Sequence, residues 1–276
     1  MYQKKSFFYL VAIICIFSFA YFLLRTDRHQ PINNSIKVGI SADYPPFEYY
    51  ENGTLIGFDI DLAKAIGNDL NKNIEFVDMP FNSLFSAIES NFIDCAISGM
   101  TVNEERLKNF DFSQAYYNDS TLGILHKKYV TFTISDQSNI TTIGYQTGSV
   151  LESWIKENFK NKEFVSMSGN GQLIEALKTG YIDCVVIGVI QALEFAKNNP
   201  DLEFSIIENT TYNRKQGYSI GLKKNSPLTA VINESLKRLE ENGILKNLKE
   251  PVKITTFFNT SEIQVQVEQL VVEYQF

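Results

Sequence analysis

The chain has 276 residues, 44% of them hydrophobic, enough for one large domain or two small ones with a core each. Its formal net charge is -7, and its basic residues are scattered apart from Lys127-Lys128 and Lys223-Lys224, which excludes a phosphate-binding face and with it nucleic acid as a partner. Two histidines and three cysteines leave no zinc-ligand pattern, and no metal or cofactor is expected.

Phe7 to Leu24 is free of charge, follows Lys4-Lys5 and precedes Arg25, Arg28 and His29. As a helix it is about 27 Å long, barely a bilayer's thickness. Two readings stand side by side. One is a secretory signal peptide with a small-x-small site at Ser18-Phe-Ala20; the other is an uncleaved anchor, since Tyr21 to Leu24 carries the apolar run past that site. Both send Ile36 onward outside the cytoplasm. Cys15 lacks the small preceding residue that a lipid anchor needs.

After a linker with Pro31, Ile36 to Ile40 reads as a strand, and Pro45-Pro46 forces an extended turn. Glu51-Asn-Gly53 is a turn. Ile60, Leu62, Ala63, Ile66 and Leu70 have helical spacing. Ile74 to Val77 is a strand, Phe81 to Ser90 a helix, and Ile93 to Ile97 a strand too buried to alternate. Strand-helix-strand-helix-strand implies a mostly parallel sheet covered on both faces. The plan then repeats. Thr141 to Tyr145 is a strand, Val150 to Asn158 a helix, Glu163 to Val165 a short strand, Gly171 to Lys178 a helix and Cys184 to Ile187 a strand. An internal echo supports the repeat, because Ala87 to Gly99 resembles Ala176 to Gly188 and each contains Ile-Asp-Cys. Cys95 and Cys184 read as buried small hydrophobes in different lobes. The strand-like runs Thr121 to Lys127 and Tyr218 to Lys223 flank the second unit and suit two crossings between lobes. Leu228 to Asn242 and Ile244 to Leu248 return as helices. In the tail, Glu262 to Glu268 alternates as a half-buried strand does, fit for a sheet edge or a partner.

Ligands of open α/β sheets sit where loops leave the carboxyl ends of the strands. Here those loops are Ser41 to Phe47, Ser98 to Thr101 and Gln146 to Val150. Arg106 is the leading candidate, its guanidinium fork matching a carboxylate; a solvated charge beside Glu104 and Glu105 is the plain alternative. Thr101 and Ser98 complete an anion nest, and the amides of Gly148-Ser149 point from a helix start toward the same cleft. Tyr44 and Phe81 would sandwich a ligand side chain, with core packing the competing reading for Phe81. Asp59 and Asp61 read as dipole-favoured surface charges, and Asp94 and Asp183 as turn holders. There is no G-x-S-x-G elbow and no phosphate loop, so no enzyme signature.

These motifs, in this order, carry a resemblance. Tyr44-Pro-Pro-Phe-Glu48, Gly57-Phe-Asp-Ile-Asp61, Ser98-Gly-Met-Thr101 with Glu105-Arg106, Phe110-Asp-Phe-Ser113 and Gly144-Tyr-Gln146 with Gly148-Ser149 are similar to the bacterial solute-binding proteins of the polar amino acid type, family 3, from Ile36 to about Leu248. The resemblance implies an α/β two-lobed clamshell of the type II periplasmic-binding-protein kind, each lobe a mixed sheet covered by helices. Residues 36–122 and 218–250 would form the first lobe and 123–217 the second, with hinge strands at its ends; 1–35 would be signal or anchor plus linker, and 251–276 a C-terminal extension. It implies a monomer, periplasmic or anchored in the inner membrane, that hands an amino acid or related carboxylate to an ABC transporter permease. Arg106 would grip the α-carboxylate with Thr101 and the Ser149 amide, Ser98 and the Gly99 carbonyl would face the α-amino group, and Tyr44 and Phe81 would line the side-chain pocket. Two positions depart. Gly188 stands where the family usually has an Asp that pairs with the ammonium, leaving Glu194 or Asp119 as weak substitutes. Ser41 stands where an acid often reads basic side chains. A cyclohexadienyl or arogenate dehydratase, a ligand sensor and a protein-interaction module are alternatives on the same fold.

Overall fold

A computed structural model describes residues 34–118, 121–130, 138–207 and 217–250. The N-terminal apolar run, Asp119 and the alternating tail lie outside them. The first stretch gives β1 (Ser35–Ile40), the short strands β2 (Asp43–Tyr44), β3 (Glu48–Glu51) and β4 (Thr54–Ile56), then α1 (Phe58–Asp69) and β5 (Asn73–Asp78). A 3-10 turn, Phe81–Ser83, leads into α2 (Leu84–Glu89), followed by β6 (Cys95–Ala96), α3 (Glu104–Asn109) and β7 (Phe110–Phe112). The second stretch gives β8 (Leu122–Lys127), β9 (Thr142–Gln146), α4 (Leu151–Asn158), β10 (Glu163–Met167), α5 (Asn170–Thr179), β11 (Cys184–Gly188), α6 (Val189–Asn198) and β12 (Leu202–Ile207). The chain then returns through β13 (Gly221–Lys223), α7 (Leu228–Glu241) and α8 (Ile244–Lys249).

Two five-stranded mixed sheets result, ordered β5-β1-β6-β13-β7 and β10-β9-β11-β8-β12. In each the strands of the strand-helix repeat run parallel, and the returning strands pair antiparallel. Each sheet carries apolar clusters on both faces, as a helix-covered sheet must. Thr121 to Lys127 is not a free crossing. From Leu122 it pairs with β11 on one side and β12 on the other, so it is an interior strand of the second sheet. That moves Leu122, expected at the end of the first lobe, into the second. Of Tyr218 to Lys223 only the last three residues form a ladder, while Tyr218 makes isolated bridges to Thr101 and Tyr117. The expected strand Ile93 to Ile97 contracts to two residues, the length over which β1 offers partners, Val38 and Gly39.

The internal echo has a physical basis. In the first lobe Asp94 accepts the Lys37 amide at 2.8 Å and its own amide returns to the Lys37 carbonyl at 2.9 Å. In the second, Asp183 accepts the amides of Thr141 and Thr142 at 2.7 and 2.8 Å, and its amide returns to the Thr142 carbonyl. The preceding isoleucine packs over a glycine of the first strand in both lobes. A Cβ on Gly39 would stand 2.4 Å from Ile93 Cδ1, and one on Gly144 2.5 Å from Ile182 Cδ1. Ile-Asp-Cys is thus a staple, with the isoleucine seating the strand sideways, the aspartate fixing its register and the cysteine entering the sheet. Cys95 and Cys184 are buried in separate sheets, and burial pushes both thiols up, that of Cys95 to about 12.

Asp183→Ala removes a charged acceptor from two amides. It is expected to cost about 2 kcal/mol in urea denaturation, within the span for hydrogen bonds to charged groups. An unchanged midpoint would mean the staple is dispensable.

Candidate functional site: the cleft between the sheets

Arg106 enters the cleft from α3, a single turn that the Asn103 side chain caps by accepting the Arg106 amide at 2.8 Å. Its guanidinium donates from Nη1 to the Thr101 carbonyl at 2.5 Å and from Nη2 to the Gly148 carbonyl at 2.8 Å. The guanidinium carbon stands 4.7 Å from the Phe85 ring centroid and 5.6 Å from that of Phe81. Two carbonyls and two rings therefore orient the fork, and one of those carbonyls belongs to the opposite lobe. Phe81 lines the cleft and is also a member of the core cluster of its own lobe. The two readings of this residue are both realised.

Around the fork the cleft has about 520 Å³ of empty space, counted out to its mouth. Thr101, Ser98, Gly99 and Tyr44 line it with Arg106 and Phe81 on the first-lobe side. Gly99 has φ +52°, and a Cβ there would stand 2.8 Å from Tyr44 Cε1. Only glycine combines that backbone with a tyrosine so close. Tyr44 Oη lies 3.3 Å from Tyr218 Oη, and Phe47 packs its ring against Tyr44, Phe58, Tyr117 and Tyr218 at 5.1–6.0 Å between centroids.

Behind this wall two acids are completely buried. Asp59, expected on the surface of α1, has 0% exposure because Phe47, Phe58 and Tyr116 close over the helix start. Its Oδ2 accepts the Gly99 amide and the Tyr116 hydroxyl, each at 2.9 Å. Asp61, two residues on, is a solvated partner of Lys64. Glu48, also fully buried, lines the cleft and accepts the Ser98 hydroxyl at 2.5 Å on Oε1. Glu48 Oε2 and Asp59 Oδ1 receive no donor, and the two acids stand close enough for each to affect the other's titration. A proton shared between them resolves this. Burial drives both carboxyls above the usual range; the Asp59 charge pushes Glu48 further up, while the Gly99 amide, the Tyr116 hydroxyl and Glu48 itself pull Asp59 part of the way back.

Among the described residues, the second lobe contributes no charged side chain to the lining. It offers Gln146, Ser149 and Asn170 among the apolar Val150, Leu151, Val186 and Ile187. The Ser149 amide does not face the ligand space, since it closes a turn onto the Gln146 carbonyl at 3.1 Å; its buried hydroxyl, without a partner, lines the cleft instead. Gly188 is not in the lining. It ends β11 and opens α6, and Val186 and Ile187 take the wall. Ser41 is likewise one layer back, its amide donating to Ser98 Oγ at 3.2 Å. Glu194 faces Lys197 and Asn198 on α6 and does not line the cleft. A second contact joins the lobes. Asp43 accepts the Asn170 amide at 2.5 Å on Oδ2 and the Asn170 side-chain amide at 3.1 Å on Oδ1, at the start of α5. Burial pushes the Asp43 carboxyl up while these donors pull it down.

Residues 36–251 match the family model described as bacterial extracellular solute-binding proteins, family 3. The arginine-binding extracellular protein ArtP of Bacillus subtilis (strain 168) is 34% identical over 249 residues, 90% of this chain and 97% of ArtP. The crystal structure of the amino acid ABC transporter substrate-binding protein AbpA of Streptococcus pneumoniae, bound to L-arginine, superposes with a TM-score of 0.71 at 33% identity, covering 79% of this chain and 94% of that one. An ancestral arginine-binding protein bound to glutamine gives 0.73 at 33% identity, over 80% and 98%.

The buried acids set a pH dependence. Both carboxyls hold protons more tightly folded than unfolded, where they titrate near pH ~4. Their contribution to stability is therefore complete at low pH and is lost as pH rises through the raised folded values. Glu48→Gln supplies a permanent donor to Asp59, so urea denaturation between about pH 5 and pH 8 is expected to show a flatter decline in the variant. Superimposable slopes would refute the shared proton.

Proposed function

The chain belongs to the bacterial extracellular solute-binding proteins, family 3, and we propose that it captures a free amino acid outside the cytoplasm and delivers it to the permease of an ABC importer. The observation that carries this reading is the Arg106 fork, held at the cleft wall by the carbonyls of Thr101 and Gly148 and by two phenyl rings. A carboxylate docking on that fork would find the Ser149 hydroxyl and Thr101 beside it, with Tyr44 and Phe81 forming the walls for the rest of the molecule. Ser98 and Gly99 face the remaining polar end. Gly188 and Ser41 act on shape from behind the lining. L-arginine is the first ligand to test, because ArtP is named as arginine-binding and AbpA was crystallised with L-arginine.

The protein acts as a monomeric binder without turnover, its two sheets serving as the halves of a clamshell: residues 36–121 with 218–250, and 122–217. Either use of residues 7–24, as a signal or as an inner-membrane anchor, presents the cleft on the outer side of that membrane. Among the described residues no helix is long and apolar enough to cross a membrane. One observation favours a second reading, a dehydratase on this fold. Glu48 gives the cleft an acid.

Thermal-shift and calorimetric titration of the full chain against the twenty amino acids, amino-free carboxylates and small peptides is expected to yield a specific amino acid ligand. Arg106→Ala should weaken it at least about 30-fold, equivalent to about 2 kcal/mol, with the fold intact by circular dichroism. Unchanged affinity would remove the grip, and turnover of prephenate or arogenate would move the protein to the second reading.

A further inference from the structure

Asn170 lines the cleft, but the carboxylate grip does not use it. It opens α5, after the loop that leaves β10. β10 pairs with β9 on the side away from β11. The Asn170 loop therefore flanks the Ser149 loop about one strand spacing (~4.8 Å) over, on the side away from Val186 and Ile187. Across the cleft Asn170 meets Asp43, the residue next to Tyr44. That places it against the wall assigned to the ligand's side chain rather than at the grip.

Chemistry fixes which way the Asn170 amide points. The backbone amides of Asn170 and Gly171 both donate to Asp43, so that carboxyl is held as an acceptor. The side-chain atom facing it at 3.1 Å is accordingly Nδ2. Gly169 keeps this approach open, since a Cβ there would stand 2.7 Å from Asp43 Oδ2. With Nδ2 committed, Oδ1 is left as an acceptor, and among the described residues it takes no donor. Asn170 is only 1% exposed, so a molecule in the cleft that offers Oδ1 nothing leaves a dry, unpaired carbonyl, which is costly. The Ser149 hydroxyl can donate to a carboxylate; a carbonyl oxygen cannot, and asks for the opposite chemistry. We propose that Asn170 is a specificity-determining residue whose Oδ1 accepts an N–H donor at the end of the ligand's side chain. Asp43 is the positioning residue that turns the amide. The proposal rests on the amino acid reading above, and narrows it to amino acids whose side chain ends in a guanidinium, urea or carboxamide N–H.

The test is calorimetric titration of the full chain with L-arginine, L-citrulline, L-glutamine and L-norleucine. All carry the same α-carboxylate and α-ammonium. The first three end in an N–H donor and norleucine ends in a methyl group. The tightest of the three is expected to bind at least about tenfold more tightly than norleucine. Asn170→Leu and Asn170→Ala should each cut that ratio at least about fivefold. The ratio is the readout because a damaged fold or a loosened closure weakens all four ligands alike. Asp43→Asn frees the amide to turn and should lower the ratio as well. Norleucine binding as tightly as the other three, or an unchanged ratio in a folded Asn170 variant, overturns the proposal and leaves amino acid binding standing. Failure of every amino acid to bind removes both. If no variant folds, the wild-type ratio decides.

Discussion

Arg106 answers to both lobes at once. Its own lobe fixes it through Thr101 and the rings of Phe81 and Phe85, and the other lobe meets it through the Gly148 carbonyl. A guanidinium is rigid and multiply donating, so one side chain can satisfy a wall, a lid and an incoming carboxylate in a single plane. The loop around it is shaped accordingly. Asn103 starts the turn that carries the arginine, Thr101 is bridged to Tyr218, and Gly99 takes the backbone past Tyr44. Moving any of these would move the fork.

The two lobes are built alike and used differently. The same Ile-Asp-Cys staple fixes strand register in each. The first lobe then places a cation and a buried acid against the cleft, whereas the second presents amides, a hydroxyl and aliphatic groups. Charge is thereby concentrated on one preorganised surface, and the facing surface can close over it with little electrostatic cost. Among the described residues, the acid that lines the cleft is Glu48, on the first-lobe side and bound to Ser98.

Much of this was legible as local pattern. The helical spacing of α1, the repeated strand-helix order and the Ser98 to Arg106 run each express their role within a few residues of sequence. Thr101, Ser98, Gly99, Tyr44, Phe81 and Arg106 all line the cleft as a consequence. What sequence could not show depends on distant partners. Asp59 has the look of a solvated helix-start acid, and only the convergence of Phe47 and Tyr116 buries it. Glu48 was visible in its motif but not as a cleft residue, because alternation in so short a strand does not say which face is closed. Tyr218 and Asn170 reach the site from remote segments. Gly188 is absent from the wall that Val186 and Ile187 form; it stands at the junction where the strand ends and the next helix begins, a boundary the sequence did not mark.

Asp43 and Asn170 join the lobes without using any ligand atom, at the N-terminus of a ten-residue helix whose dipole favours the carboxylate. With the Arg106–Gly148 contact, the cleft is fastened at two separate points by the protein itself. A molecule enclosed there leaves only after those fastenings part and water returns to the buried carboxylate. The rate of departure is thus governed in part by Asp43, which is not among the residues proposed to hold the cargo, and residence time becomes a property that can be tuned apart from what is recognised.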